Sequence, residues 1–141
     1  MSLAEIADVR LEGGGVMFQY LLLQLEWDAE RRTIVRGLNY QPYVDKIEEQ
    51  IVESAREELG ENGFFEKGGD LQIGGGGSVA FNLYYENITL FGSNPTYGVE
   101  EDRDAVAKMI ESAYPEHEVS WYGPEPLDSS MCEPSDSNSK E

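Results

Sequence analysis

Two features of the sequence carry residues that could do chemistry. His117 is the only histidine, and it lies beside the last predicted strand. Its imidazole could act as a general base, but a lone histidine is more often structural. The glycine run Gly74–Gly77 could cradle a phosphate, although it lacks the lysine and the hydroxyl residue of a P-loop. A glycine run within a strand more often marks a bulge or a close approach of the backbone.

Two junctions between a predicted strand and a predicted helix could hold an anion. The segment 90–98, LFGSNPTYG, offers backbone N–H groups and hydroxyls to an oxyanion, although many turns share its composition. The segment 34–50 runs from a strand into a helix whose first-turn N–H groups attract anions. The side chains at these junctions therefore decide whether the chain can bind or transfer an anionic group.

The sequence offers poor material for a metal site. One histidine and the single cysteine, Cys132, cannot make a zinc site, and no stretch has the carboxylate spacing of a calcium loop. We expect neither a metal nor a cofactor. A single cysteine also excludes an intrachain disulfide.

The first half of the chain predicts a strand pair followed by a helix. Residues 16–27 are apolar on both alternating faces, which is typical of a strand covered on both sides. Thr33–Leu38 is expected to be its hairpin partner. Residues 42–59 then show helical spacing, with Pro42 in the first turn. The apolar stripe of that helix comprises Val44, Ile47, Ile51, Ala55 and Leu59.

The second half predicts three more strands and a second helix. Leu71–Tyr85 is expected to be a strand interrupted by the glycine run, followed by Ile88–Phe91 and, last, Glu118–Tyr122. Val99–Ala113 is the predicted second helix, and its buried stripe comprises Ala105, Met109, Ile110 and Ala113. With a short first strand at Asp8–Glu12, the order β-β-β-α-β-β-α-β predicts an α/β or α+β domain of about six strands and two helices.

Charge restricts the class of partner. The sequence has ten lysines and arginines against 28 aspartates and glutamates, a formal net charge of −18. Such a charge repels nucleic acids and anionic membranes, so we expect neither and favour a protein partner, in particular a basic one. The sequence shows no basic-then-apolar leader and no long apolar run, so we expect a cytoplasmic protein, with nuclear or organellar locations left open.

The C-terminal segment differs from the rest of the chain in composition. Residues 123–141 are rich in serine, proline and acids and poor in apolar residues. Such a composition cannot offset the entropy of ordering. We therefore expect one domain over residues 1–122 and a disordered acidic tail over 123–141.

Taken together, these segments resemble the protein histidine phosphatase family, also called the janus/ocnus family. The similarity covers about residues 16–122. It rests on IVRG at 34–37, the glycine run, FGSNPTYG at 91–98 and YPEHEVSW at 114–121. The resemblance implies a mixed sheet flanked by two helices, with an active site where the long strand, the first helix and the 92–98 loop meet. It also implies phosphohistidine dephosphorylation by a histidine at the start of the first helix, with lysine, arginine and serine holding the phosphate.

The positions that match this machinery carry other residues. The catalytic histidine corresponds to Val44, the lysine to Gln19, the arginine to Ser78 and the serine to Asn94. Arg36 of IVRG is retained. Valine has neither a lone pair nor a proton to give, so we predict no catalytic residue here. The predicted vestigial pocket comprises Gln19, Arg36, Tyr43, Val44, Ser78, Asn94 and Thr96.

Three functions remain in competition. The first is a catalytically inactive relative that serves as a binding or regulatory module. The second is a phosphohistidine phosphatase with an altered mechanism, in which Asp45 replaces the imidazole. The third is an acidic interaction subunit of a larger assembly. A small anion in the pocket is a weaker expectation than a protein partner.

Overall fold

The computed structural model describes residues 6–41, 43–82 and 84–123. In chain order its elements are β1 (Val9–Glu12), β2 (Met17–Trp27), β3 (Glu30–Asn39), α1 (Ile47–Glu61), β4 (Asp70–Asn82), β5 (Asn87–Phe91), α2 (Arg103–Ala113) and β6 (Glu118–Trp121). The predicted tail lies outside the described residues from position 124 onward, and so do Pro42 and Cys132.

The strands form one mixed sheet in the order β1-β3-β2-β4-β5-β6. The two outer pairs, β1 with β3 and β5 with β6, are parallel, and the inner pairs are antiparallel. The expected single α+β domain of six strands and two helices is confirmed.

The long strand β2 divides two apolar cores. Leu21, Leu23 and Leu25 point to one face and pack against α1. Tyr20 and Leu22 point to the other face, in the core that includes α2. Alternation along a strand sends successive side chains to opposite faces, so the doubly apolar pattern of β2 correctly predicted a strand covered on both sides.

The glycine run lies inside β4 and does not interrupt it. Gly76 pairs with Leu21, and Ile73 pairs with Leu23, so the register shifts between these two pairs. A Cβ on Gly76 would lie 2.1 Å from the carbonyl oxygen of Tyr20. The alternative of a bulge with close backbone approach is therefore the correct one for this run, while the predicted interruption is wrong.

Both helices begin later than the periodicity predicted. The turn before α1 holds Val44, which therefore lies outside the helical stripe assigned to it. Lys46 ends that turn in the left-handed conformation, with φ 56° and no side-chain cap. At α2, the Asp102 side chain accepts a hydrogen bond from the Ala105 N–H at 3.1 Å and fixes the helix start.

The buried face of α2 also differs from the prediction. Ala105 and Ala113 are exposed, and the buried residues are Arg103, Val106, Ala107 and Ile110. These four still follow helical spacing. The face is rotated because the guanidinium group of Arg103 is buried against Glu100, an interaction that an apolar pattern cannot reveal.

Candidate functional site

A cleft of about 320 Å³ lies where β2, the start of α1 and the 92–98 loop meet. We call it the α1 pocket. It is lined by Gln19, Tyr40, Gln41, Val44, Lys46, Ile47, Glu48, Ser78, Ser93 and Pro95. This is the place where the resemblance noted above would put an active site.

Two polar side chains on the floor of the pocket are bonded to each other. The pairing of β2 with β4 sets Gln19 opposite Ser78, so both side chains lie on the same face of the sheet. The Gln19 Nε2 atom donates a hydrogen bond to the Ser78 Oγ atom at 3.0 Å. The two positions expected to match a lysine and an arginine thus hold a neutral pair.

The first turn of α1 brings a carboxylate to the pocket. Glu48 is only 3% exposed, and its carboxylate accepts a hydrogen bond from the Thr96 hydroxyl of the 92–98 loop. Its place in the first turn suits the positive end of the helix dipole. Within the described residues, no lysine, arginine or histidine forms an ion pair with Glu48.

Sequence reasoning missed Glu48. Its only signal was an acid in the first turn of a predicted helix, next to the apolar Ile47. Such acids are usually solvated, and only the packing of the 92–98 loop buries this one.

The 92–98 loop uses its own backbone donors. The buried Asn94 side chain accepts hydrogen bonds through Oδ1 from the Thr96 and Tyr97 N–H groups, each at 2.9 Å. The Asn94 and Gly98 backbones also bond to each other, at 3.2 and 2.8 Å. These N–H groups are therefore occupied within the loop, which weakens the expected oxyanion site. The Asn94 Nδ2 atom is buried and has no hydrogen-bond partner among the described residues.

Glycines on β4 let the chain after the loop lie directly on the strand. The Gly76 N–H donates to the Gly98 carbonyl oxygen at 2.9 Å. Gly75 has φ +115°, and a Cβ there would lie 2.5 Å from the Glu100 nitrogen. The glycine run thus lets residues 98–100 pack directly against β4, and these residues fill the space beside the run.

A second buried carboxylate lies beyond the loop, in the α2 core. Glu100, also 3% exposed, pairs with Arg103 through Oε1 and Nη2 at 3.1 Å and accepts the Tyr20 hydroxyl at 2.5 Å. Arg103 further donates to the carbonyl oxygens of Gly76 and Tyr122. Burial and the nearby charge of Glu100 raise the pKa of Tyr20 far above its ordinary value.

Arg36 lies outside the α1 pocket. Its guanidinium group donates to both carboxylate oxygens of Glu58 at 2.8 Å and lines a separate, narrow cleft. Although burial opposes it, the hydrogen bonds and charge of Arg36 lower the pKa of Glu58 below its usual 4.5. The resemblance placed Arg36 in the vestigial pocket, but in the structure Arg36 forms an ion pair with Glu58 outside that pocket.

Three other candidate residues also lie apart from the pocket lining. Tyr43 is 94% exposed and Asp45 is exposed, and neither lines the pocket. His117 packs edge-on against the rings of Phe81 and Tyr114, next to the α2 core. Of the predicted set, the structure brings together Gln19, Val44 and Ser78, and it adds Thr96 through Glu48.

A larger cleft, of about 380 Å³, lies at the other end of the β2–β3 pair. It is lined mainly by polar side chains, among them Gln24, Thr33 and Gln72. Its charged residues are already engaged: Arg31 pairs with Glu26, Arg32 pairs with Asp8, and Asp70 accepts a hydrogen bond from Gln72. The cleft offers no set of residues that could carry out a reaction together.

Among residues 6–41, 43–82 and 84–123, no three His, Cys, Asp or Glu side chains are grouped so as to hold a metal ion. In the same part of the chain, neither helix has both the length and the apolar character that a membrane span requires.

Comparison with known proteins identifies the family. No curated protein matches the chain. The model of the Janus/Ocnus family, however, matches residues 3–118, which span nearly all of the described fold and both walls of the α1 pocket. On that match, the chain belongs to the Janus/Ocnus family.

Proposed function

We propose that this Janus/Ocnus protein is a non-catalytic module that binds a protein partner through the α1 pocket. The observation that carries the proposal is the lining itself. Where the resemblance to histidine phosphatases calls for an imidazole, Val44 presents a hydrocarbon. Such a side chain can neither accept a proton nor attack phosphorus.

The electrostatics of the pocket also disfavour a phosphoryl group. Phosphoryl transfer relies on positive groups placed around the oxygens of the transition state. Gln19 and Ser78 are neutral, and among the described residues that line the pocket, Lys46 is the one cation. The buried carboxylate of Glu48 would repel a phosphate, and the net charge of −18 adds to that repulsion.

The geometry does not favour a phosphatase that uses Asp45. A replacement base or nucleophile must lie within hydrogen-bond reach of the reacting group. Asp45 is exposed, and the pocket lining passes from Val44 to Lys46 without it.

A phosphatase assay tests the proposal. A peptide carrying phosphohistidine should lose phosphate no faster with the purified chain than with buffer, and no phospho-enzyme should be trapped. Turnover that persists at constant specific activity and disappears in Asp45→Asn would overturn it. Asp28→Asn, which removes an exposed carboxylate at the β2–β3 turn, is the matched control.

A further inference from the structure

The α1 pocket contains the buried carboxylate of Glu48, which lacks a charged partner of the kind that Glu100 has. Glu48 and Glu100 are equally buried, at 3% exposed. Glu100 has a guanidinium group and a phenol, whereas Glu48 has the Thr96 hydroxyl. Buried carboxylates are costly unless they are paired and hydrogen-bonded. No lysine, arginine or histidine among the described residues pairs with Glu48, and the cleft that it lines measures about 320 Å³.

The walls of the pocket suit such a cation. Tyr40 is 52% exposed and lines the pocket, so its ring face can attract a positive charge. Gln19 uses its Nε2 atom on Ser78, which leaves the amide oxygen as an acceptor. The Ser93 hydroxyl is a further acceptor in the lining. Acceptors and an aromatic face around a carboxylate fit N–H donors of positive charge.

From this arrangement we infer that the α1 pocket binds a basic side chain, arginine or lysine, presented by a protein partner. The inference rests on the proposed function and names the chemistry of its ligand. Charge complementarity supports the choice of occupant, because a net charge of −18 draws basic partners to the surface. Glu48 then selects one side chain of that partner for the pocket.

Lys46 opposes this binding, as does the positive end of the α1 helix dipole. Lys46 lines the pocket, it is exposed, and it makes no ion pair with Glu48. Its charge weakens the attraction for an incoming cation without neutralising the buried carboxylate. Lys46→Met should therefore tighten binding of a basic side chain by about twofold to fivefold.

A peptide titration followed by NMR tests the inference. The probes are acetyl-Gly-Arg-Gly-amide, its lysine analogue and its glutamine analogue, added to the isotope-labelled full chain. The two basic peptides should shift the Gln19 and Ser78 resonances, and the glutamine peptide should not. Glu48→Gln should weaken binding about tenfold. Glu49→Gln should weaken it less than about twofold, because Glu49 is exposed on the same helical turn.

The matched pair of variants decides the result. Both remove one negative charge from the first turn of α1, so equal losses would assign binding to general surface charge and overturn the inference. No shift with either basic peptide, or an equal shift with the glutamine peptide, would overturn it as well. Neither result bears on phosphatase turnover, so a failure of this inference leaves the non-catalytic assignment standing, and turnover would end that assignment without altering the peptide result.

A second variant keeps the test decisive if Glu48→Gln unfolds. Ser78→Arg places a guanidinium group in the pocket lining, within the same cavity as Glu48. It should abolish peptide binding, because the arginine side chain would pair with Glu48 from within the chain. Undiminished binding in a folded Ser78→Arg protein would contradict the inference.

Discussion

Glu48 and Glu100 lie on opposite sides of the sheet and are equally buried, but their surroundings differ. Glu100 is held by Arg103 and Tyr20 within the α2 core, and Arg103 in turn donates to the carbonyl oxygens of Gly76 and Tyr122. Glu48 lies at the edge of a cleft and bonds to a single hydroxyl of the 92–98 loop. Two carboxylates with the same degree of burial therefore differ in whether their partner is charged or neutral.

The difference separates a structural charge from one that is free for recognition. A carboxylate with a buried guanidinium partner is committed to the fold, because removing either partner leaves the other unpaired. When a carboxylate whose only partner is neutral loses its charge, no unpaired charge remains on that partner. We expect four substitutions to break or sharpen this contrast.

The largest effect is expected from Glu100→Gln. Neutralising Glu100 strands the buried charge of Arg103, which is 3% exposed. The free energy of unfolding should fall by about 3 kcal/mol, as measured by urea denaturation. Lys108→Met removes an exposed ion pair from α2, the helix that carries Arg103, and should have no measurable effect. If Glu100→Gln proved as mild as Lys108→Met, the contrast between the two glutamates would fail.

Tyr20→Phe should have the next largest effect. The phenol donates to a buried carboxylate at 2.5 Å, and its loss leaves one lone pair of Glu100 unsatisfied. We expect a loss of about 1.5 kcal/mol in the free energy of unfolding. Tyr114→Phe is the control, because its ring contacts with Phe81 and His117 are kept. A neutral result for Tyr20→Phe would mean that Arg103 alone satisfies Glu100.

Glu58→Gln provides an intermediate case, since Glu58 is paired with Arg36 but only partly buried. At pH 7, Glu58→Gln should lower the free energy of unfolding by about 1 kcal/mol. Arg36 is nearly as buried as Arg103, but the Glu58 side chain is 15% exposed, so water screens this pair. The pKa of Glu58 is lower in the folded than in the unfolded protein. Its charge therefore stabilises the fold at pH values above the unfolded-state pKa, and this stabilisation is lost as the pH falls through the folded-state pKa. Denaturation from pH 7 to pH 3 should show the parent and variant curves converging. Parallel curves would exclude a charge effect.

The smallest effect on stability is expected from Glu48→Gln. The amide keeps an acceptor for the Thr96 hydroxyl and strands no cation among the described residues. The free energy of unfolding should change by less than about 0.5 kcal/mol or rise slightly, although peptide binding weakens about tenfold. A loss as large as that of Glu100→Gln would show that Glu48 also serves the fold.

The elements were predictable from the sequence, whereas the polar contacts were not. Alternation on β2 and helical spacing over 42–59 depend on local apolar pattern, and both elements formed, although α1 begins at Ile47. Arg103 lies on the buried face of α2, where the pattern predicted Ala105 instead. Its partner Glu100 is only three positions earlier, but Glu100 also bonds to Tyr20, 80 positions away. A contact over that separation leaves no mark on local periodicity.

The cleft brings together some of the predicted pocket residues and not others. Gln19, Val44 and Ser78 line it together. Arg36 was misplaced because motif retention says nothing about which carboxylate an arginine will meet. Glu48 was missed because its burial depends on the 92–98 loop packing over it.

The way in which the 92–98 loop is fastened has a consequence for the kinetics of recognition. Asn94 bonds to two N–H groups of the loop, and Gly98 is fixed both to Asn94 and to Gly76 of the sheet. A partner therefore has little backbone to order on arrival, so the entropic penalty of complex formation should be small. Association should then proceed at a rate set by electrostatic steering, and it should slow steeply as ionic strength increases.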